Sequence, residues 1–180
     1  MNMRAPVGFA VAMTALVCSG VAAAGPSAAA LLGYAPSDEF DDATAVGYGL
    51  GLGARAGWSL PFNLYVGGTF VYHLGTDRNE ITSNIMYGGG EAGYDFGEGR
   101  VTIRPYLGFG YANWRYESCG QIQCGPGVRN EGMFALWPGA AVLVHVDSQI
   151  LVGVDLRYFA LLKEYGENAP SAFLTVGASF

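Results

Sequence analysis

The chain has 180 residues, of which 28 are glycine, 51 % are hydrophobic, 13 % are aromatic and only 13 % are charged. The charged fraction is about half, and the glycine share about twice, that of ordinary soluble domains. The aromatic content excludes a disordered chain, and a net charge of −6 excludes an ordinary nucleic-acid binder. Beyond residue 30 no run of about 18 apolar residues occurs, which argues against a membrane-spanning helix. The composition favours a single β-domain in contact with lipid.

The first 30 residues have the composition of an export signal. Arg4 is their only charged residue, the apolar run 9–17 follows it, and residues 22–24 are three alanines. This pattern predicts a signal peptide of residues 1–24 and a mature domain of residues 25–180. Two alternatives stay open. The segment remains as a membrane anchor, or Cys18 is the lipidated cysteine of a lipoprotein, although the preceding valine is bulkier than such signals prefer.

Residues 48–60 alternate strictly between two kinds of side chain. Every even position is apolar, and every odd position is glycine, arginine or serine. Because Cβ atoms alternate across a strand, such a segment has one apolar face and one small or polar face. Six further segments show the same alternation, without a charge on the apolar face: 64–74, 86–96, 101–111, 134–147, 150–158 and 174–180.

The seven alternating segments need an eighth to close a bacterial barrel, because such barrels have an even number of strands. The weakly patterned residues 28–35 are expected to supply it. The sequence therefore predicts an all-β fold, a transmembrane antiparallel up-and-down β-barrel of eight strands. Short connections alternate with longer polar ones, as the short periplasmic turns and long outer loops of such barrels do.

Aromatic residues on the apolar face are expected to form two belts, one at each membrane interface. The belt near the short turns comprises Trp58, Tyr94, Phe96 and Phe180, and the belt near the long loops comprises Tyr48, Phe70, Tyr72, Tyr111, Phe134 and Tyr158.

Several segments carry a family resemblance. Residues 65–75, 104–111 and 154–158, with the terminal Phe180, resemble the small outer-membrane β-barrel proteins of the OmpA/OmpX type. The resemblance implies a bacterial outer-membrane location, contact with membrane lipid and lipopolysaccharide, and recognition of the strand ending in Phe180 by the barrel-assembly machinery. It implies no single function, because such barrels include adhesins, structural anchors and evasion factors. We expect a monomer that needs no cofactor and binds no nucleic acid.

Six charged residues lie on the face predicted to point into the barrel: Arg55, Glu91, Asp95, Arg104, Asp155 and Arg157. Their charges balance. An eight-stranded barrel is only wide enough for its own side chains. We therefore expect a hydrogen-bonded network that fills and stabilises the lumen; the alternative is a path for protons or ions.

Two prolines fit this scheme poorly. Pro105 and Pro138 lie inside predicted strands, and a closed barrel has no edge strand to accommodate a residue without an N–H. We expect either a shared bulge or a local gap in the hydrogen-bonding ladder.

Cys119 and Cys124 are the only cysteines of the predicted mature chain, and they lie in its longest polar loop. In an oxidising compartment they are expected to form a disulfide. A two-cysteine metal site is the alternative, but no histidine lies near them in the sequence to complete it.

The sequence contains no clear catalytic arrangement. His73 and His145 fall at opposite ends of the predicted barrel. The leading hypothesis is a non-enzymatic outer-membrane barrel whose external loops contact surfaces or partners. One alternative is a lipid-modifying enzyme centred on His73, which has Asp77 four residues further on. Another is a soluble lipocalin-like barrel, in which the apolar face would point inward.

Overall fold

The computed structural model describes residues 25–36, 48–75, 82–97, 99–117, 128–162 and 168–180. The predicted signal peptide, Cys18, Asp77 and the Cys119–Cys124 pair lie outside these ranges. Eight strands are present: β1 (Gly25–Ala35), β2 (Gly49–Ser59), β3 (Leu64–His73), β4 (Thr82–Tyr94), β5 (Val101–Glu117), β6 (Val128–His145), β7 (Ile150–Leu161) and β8 (Asn168–Ser179).

The strands form a closed antiparallel barrel in sequence order. Each strand pairs with the next, and β1 pairs with β8 to complete the circle. The predicted eight-stranded up-and-down barrel is confirmed, and its weakly patterned first strand begins at Gly25, three residues before the predicted start. In the described part of the chain, no helix is long and apolar enough to cross a membrane.

The two faces of the sheet differ as the alternation predicted. Large apolar side chains from every strand are exposed on the outside, among them Leu32, Leu52, Phe70, Met86, Leu107, Phe134, Leu156 and Leu174. The six predicted lumen charges are buried on the inside. This arrangement is the reverse of a lipocalin-like barrel, so that alternative is wrong.

Three short connections close one rim. In the first, Phe62 and Asn63 both have positive φ, at 69° and 62°, a conformation that asparagine tolerates far better than phenylalanine does. In the last, Asp147 Oδ1 accepts the backbone N–H groups of Gln149 and Ile150, each at 2.7 Å. The first and last connections are therefore tight turns between neighbouring strands.

Tyr48 departs from the predicted facing. It is buried, and its ring contacts those of His73 and Phe159 in the lumen instead of joining the outer aromatic belt. The cause is Gly49, whose φ of 64° breaks the strand alternation. Regular alternation begins at Leu50, which is exposed.

Pro105 interrupts the β4–β5 ladder without changing its register. The paired residues run to Gly93 opposite Tyr106, and pairing resumes at the bridge between Phe96 and Ile103 in the same register. A bulge would shift the register by an extra residue. The bulge is therefore wrong, and the expected local gap is confirmed.

Pro138 interrupts the β6–β7 ladder in the same way. Leu136 pairs with Ala160, and the next pair within these described strands is Gly139 with Arg157. The register is again unchanged across the gap.

Each proline lies opposite an outward-facing tyrosine whose carbonyl loses a donor. Phe96 and Ile103 exchange backbone bonds in both directions, so the next exchange in this register would join Tyr94 and Pro105. Across β6–β7 the corresponding pair is Pro138 and Tyr158. Since proline has no N–H, neither tyrosine carbonyl receives one from its partner.

Candidate functional site: the filled lumen

Four of the lumen charges form one cluster. Arg55 Nε lies 2.8 Å from Glu91 Oε2, and Arg55 Nη1 lies 2.6 Å from Asp155 Oδ2. Arg157 Nε donates to Asp155 Oδ1 at 2.9 Å. Asp155 therefore joins two guanidinium groups, and it is fully buried. Strands β2, β4 and β7 each supply part of this cluster across the lumen.

Aromatic side chains add two hydrogen bonds to this cluster. Tyr106 Oη donates to Asp155 Oδ1 at 2.7 Å, and Trp137 Nε1 donates to Glu91 Oε1 at 2.9 Å. The guanidinium carbon of Arg55 also lies 4.6 Å from the centre of the Tyr106 ring. Each acid thus accepts bonds from both a cation and a neutral donor, which offsets the cost of burying its charge.

The remaining two charges form a second cluster nearer the short turns. Arg104 donates from Nε and Nη2 to the two carboxylate oxygens of Asp95, at 2.5 and 2.9 Å. Ser59 Oγ donates to Asp95 Oδ2 at 2.7 Å. The Arg104 guanidinium also stacks over the Tyr65 ring, 3.7 Å from its centre. This geometry is a bidentate ion pair supported by a hydroxyl and an aromatic face.

Toward the long loops the lumen is filled by rings instead of charges. Tyr87 lies at the centre of this layer, 4.3 Å from the Phe159 ring and 5.2 Å from the Trp137 ring, centre to centre. His73 stacks on Tyr87 at 6.0 Å and contacts Phe173 edge-on at 5.9 Å. The described lumen therefore contains two layers, one of ion pairs and one of aromatic rings.

Glycines on the inner face provide the space for these rings. A Cβ placed on Gly108 would overlap the indole nitrogen of Trp137, and one on Gly139 would lie 2.6 Å from the Tyr106 hydroxyl. Both rings therefore lie directly against the opposing backbone. The high glycine content of the chain is in part the counterpart of a lumen packed with large side chains.

The two histidines lie in different surroundings. His73 Nδ1 donates to the carbonyl oxygen of Gly49 at 3.3 Å within the ring layer. His145 lies beside a vestibule of about 480 Å³ at the short-turn rim, with Asp95 and Arg104 in its wall. No group of three or more metal-ligating side chains occurs within the described ranges.

The sequence interpretation missed several lumen residues. Ser59 belongs to the Asp95 cluster, and its inward position in β2 was the available signal. Phe159 and Phe173 fill the ring layer although the sequence predicted a polar inner face. Their signal was position alone, since each follows an outward-facing residue.

The other predicted site residues lie away from the lumen network. Cys119 and Cys124 fall outside the described ranges. Phe180 lies exposed at the short-turn rim, where its backbone N–H donates to the carbonyl oxygen of Pro26 at 2.9 Å.

Comparison with known proteins reveals likeness in structure only. No protein-family model and no curated protein sequence matches the chain. The N-terminal β-barrel domain of Pseudomonas aeruginosa OprF has a TM-score of 0.58 at 17 % identity, covering 87 % of this chain and 97 % of that one. Ail, the attachment invasion locus protein of Yersinia pestis, has a TM-score of 0.56 at 16 % identity, with the same coverages. Neisserial surface protein A has a TM-score of 0.56 at 18 % identity, covering 87 % and 95 %. At these identities the likeness is one of fold.

Proposed function

Since the chain has the fold of the small eight-stranded outer-membrane barrels, we propose that it is a non-enzymatic integral protein of the bacterial outer membrane. One observation carries the proposal: apolar side chains cover the outside of a closed barrel whose inside holds buried charges. Leu174 on the outer face is 61 % exposed, whereas the adjacent Thr175 is 2 % exposed. Only a hydrocarbon surrounding makes such a surface favourable.

The lumen supports a structural role and not a pore. Within the described barrel, three arginines and three acids are buried and balance one another, and Asp155 and Trp137 are fully buried. Ion pairs and stacked rings occupy the lumen of the described barrel, and this packing supports a lumen without a continuous aqueous path. The network thus acts as the internal core of a barrel whose hydrophobic surface faces outward.

The surroundings of His73 favour the non-enzymatic hypothesis over lipid modification. His73 is 2 % exposed, its ring packs among Tyr48, Tyr87 and Phe173, and its Nδ1 donates to the Gly49 carbonyl. A catalytic base must reach its substrate. A lipid headgroup at the outer rim has no direct access to this ring.

The partners follow from the location. The outer belt would contact membrane lipid and lipopolysaccharide, and the long loops would present the protein to surfaces or partners outside. The exposed Phe180 at the end of the chain would serve as the signal to the barrel-assembly machinery, and the protein would function as a monomer.

The test is expression of the full chain with its own first 24 residues, followed by separation of inner and outer membranes. The protein is expected in the outer membrane, and unboiled samples are expected to migrate at a shifted position on a detergent gel. Purified protein in planar bilayers is expected to show no steady conductance. Recovery as a water-soluble periplasmic protein would overturn the location, and a steady open channel would overturn the filled lumen.

A further inference from the structure

An apolar groove of about 540 Å³ lies on the outer face of the barrel beside the Pro138 gap. Its walls come from β6, β7, β8 and β1, which are consecutive around the barrel. Leu156, Pro170 and Ala172 line it with hydrocarbon groups, and the rings of Tyr34 and Tyr158 border it.

The groove lies at the long-loop end of the barrel. Tyr34 is next to the last residue of β1, and Pro170 is the third residue of β8. Tyr34 and Tyr158 are 53 % and 48 % exposed, as expected for aromatic residues at a membrane interface. The groove therefore extends from that interface into the hydrocarbon layer.

One of the residues that line the groove has a backbone carbonyl without its ladder donor. Leu162 donates its backbone N–H to Phe134 at 2.9 Å, which shows that even-numbered residues exchange bonds between β6 and β7. In the same series the carbonyl of Tyr158 faces Pro138, which has no N–H to donate. In hydrocarbon, a carbonyl without a donor is costly, because no water replaces the bond.

The two proline gaps differ in what spans them on the inside. At the Pro105 gap, Arg104 and Asp95 join the strands through a bidentate ion pair. At the Pro138 gap, the opposing inward residues are Trp137, whose N–H is donated to Glu91, and Phe159, which has no polar group. The second gap thus lacks an equivalent polar clamp.

We propose that this groove binds one hydroxyl-bearing glycolipid of the outer leaflet. An acyl chain packs against Pro138, Leu156 and Ala172, and a hydroxyl of the same molecule donates to the Tyr158 carbonyl. The site rests on the proposed outer-membrane location, because it requires a lipid surrounding with the long-loop rim toward the outer leaflet.

The experiment compares lipid retention by four proteins extracted from outer membranes in mild detergent, measured by native mass spectrometry. Ala172→Trp fills the groove, and Leu174→Trp is the matched control, two residues further along the same outward face of β8. Pro138→Val restores the N–H opposite Tyr158 while keeping an apolar side chain. Each protein is then offered nanodiscs of lipopolysaccharide with phosphatidylethanolamine, or of phosphatidylcholine alone, which has no hydrogen-bond donor.

The wild-type protein and L174W are expected to retain one lipopolysaccharide molecule and to show no retained phosphatidylcholine. A172W and P138V are expected to retain about tenfold less, because each removes either the space or the free acceptor. Equal retention by all four proteins, or none by the wild type, would overturn the proposal. The gel shift shows whether each protein has folded into a barrel. If the wild type shows no shift, the proposed function itself is contradicted. If only A172W shows no shift, that variant has not folded, and P138V alone tests the proposal.

Discussion

Arg104 of β5 lies opposite Asp95, the residue after β4, in the register that continues across the gap at Pro105. Their bidentate ion pair joins the two strands at 2.5 and 2.9 Å across the gap. Ser59 of β2 binds the same carboxylate and extends the connection around the barrel. A side-chain bond inside the lumen thus takes the place of a backbone bond that proline removes.

This relationship predicts energetic coupling between Asp95 and Pro105. Asp95→Asn should cost about 3–5 kcal/mol, because it leaves Arg104 buried without its charge partner. In a Pro105→Val background, where the ladder bond is restored, the cost should fall by more than about 0.5 kcal/mol. Urea unfolding of the four proteins, followed by loss of the gel-shifted form, measures the cycle. If the free-energy costs of the two substitutions simply add, the Arg104–Asp95 ion pair does not compensate for the missing backbone bond.

Asp155 should be among the most sensitive charges, because it bridges Arg55 and Arg157 and accepts the Tyr106 hydroxyl. Asp155→Asn is expected to destabilise the barrel by about 3–5 kcal/mol. The control is Asp147→Asn on the exposed rim, which removes the same charge without stranding a buried arginine; it weakens only two exposed backbone bonds and should lower the urea midpoint much less. Urea midpoints compare the two, and similar losses would argue against a structural lumen network.

Gly108 should not tolerate a side chain. Gly108→Ala places a methyl group where the indole nitrogen of Trp137 already lies, so a loss of about 1–3 kcal/mol is expected. Gly90→Ala is the matched control on the outer face of β4, where the nearest atom to the added methyl group is 3.9 Å away. That change should alter stability by less than about 0.5 kcal/mol. If G108A unfolds at the wild-type urea concentration, the ring packing is wrong.

The hydrogen bonds to Asp147 are expected to stabilise the short-turn rim at neutral pH and not in acid. The backbone N–H groups of Gln149 and Ile150 hold the pKa of Asp147 below its ordinary value of 3.8. A carboxyl group whose pKa is lowered by folding stabilises the folded state fully at pH values above its unfolded-state pKa. This stabilisation is lost as the pH falls through the folded-state pKa. Wild type should therefore exceed Asp147→Asn in urea midpoint at neutral pH, and the difference should vanish in acid below 3.8. A difference that does not change with pH would exclude this origin.

The facing of the strands could be predicted because it depends on local alternation. Leu174 and Thr175 point to opposite sides by strand geometry alone, and the contrast between membrane and lumen selects which side chain goes where. The prediction failed at Tyr48 because a single positive φ at Gly49 reverses the facing. Glycine adopts positive and negative φ almost equally readily, so its φ cannot be read from the sequence.

The pairing inside the lumen could not be derived from the sequence. Arg55 is 36 residues from Glu91 along the chain, and their contact depends on barrel stagger, which fixes the height of each strand relative to its neighbours. The ring layer has the same origin, because the contact between the Phe159 and Tyr87 rings joins β7 to β4 across the lumen. The proline gaps were visible in the sequence, but their unchanged register was not.

The most direct test uses two native tryptophans, Trp58 on the outer face at 54 % exposure and Trp137, which is fully buried in the lumen. Two variants each keep one of them and replace the other tryptophans by phenylalanine, and brominated phosphatidylcholine bilayers quench fluorescence only where bromine reaches the indole. Trp58 should be quenched strongly, and Trp137 should not. Equal quenching of both, or quenching of Trp58 by aqueous iodide and not by brominated lipid, would contradict a lipid-facing barrel with a filled lumen.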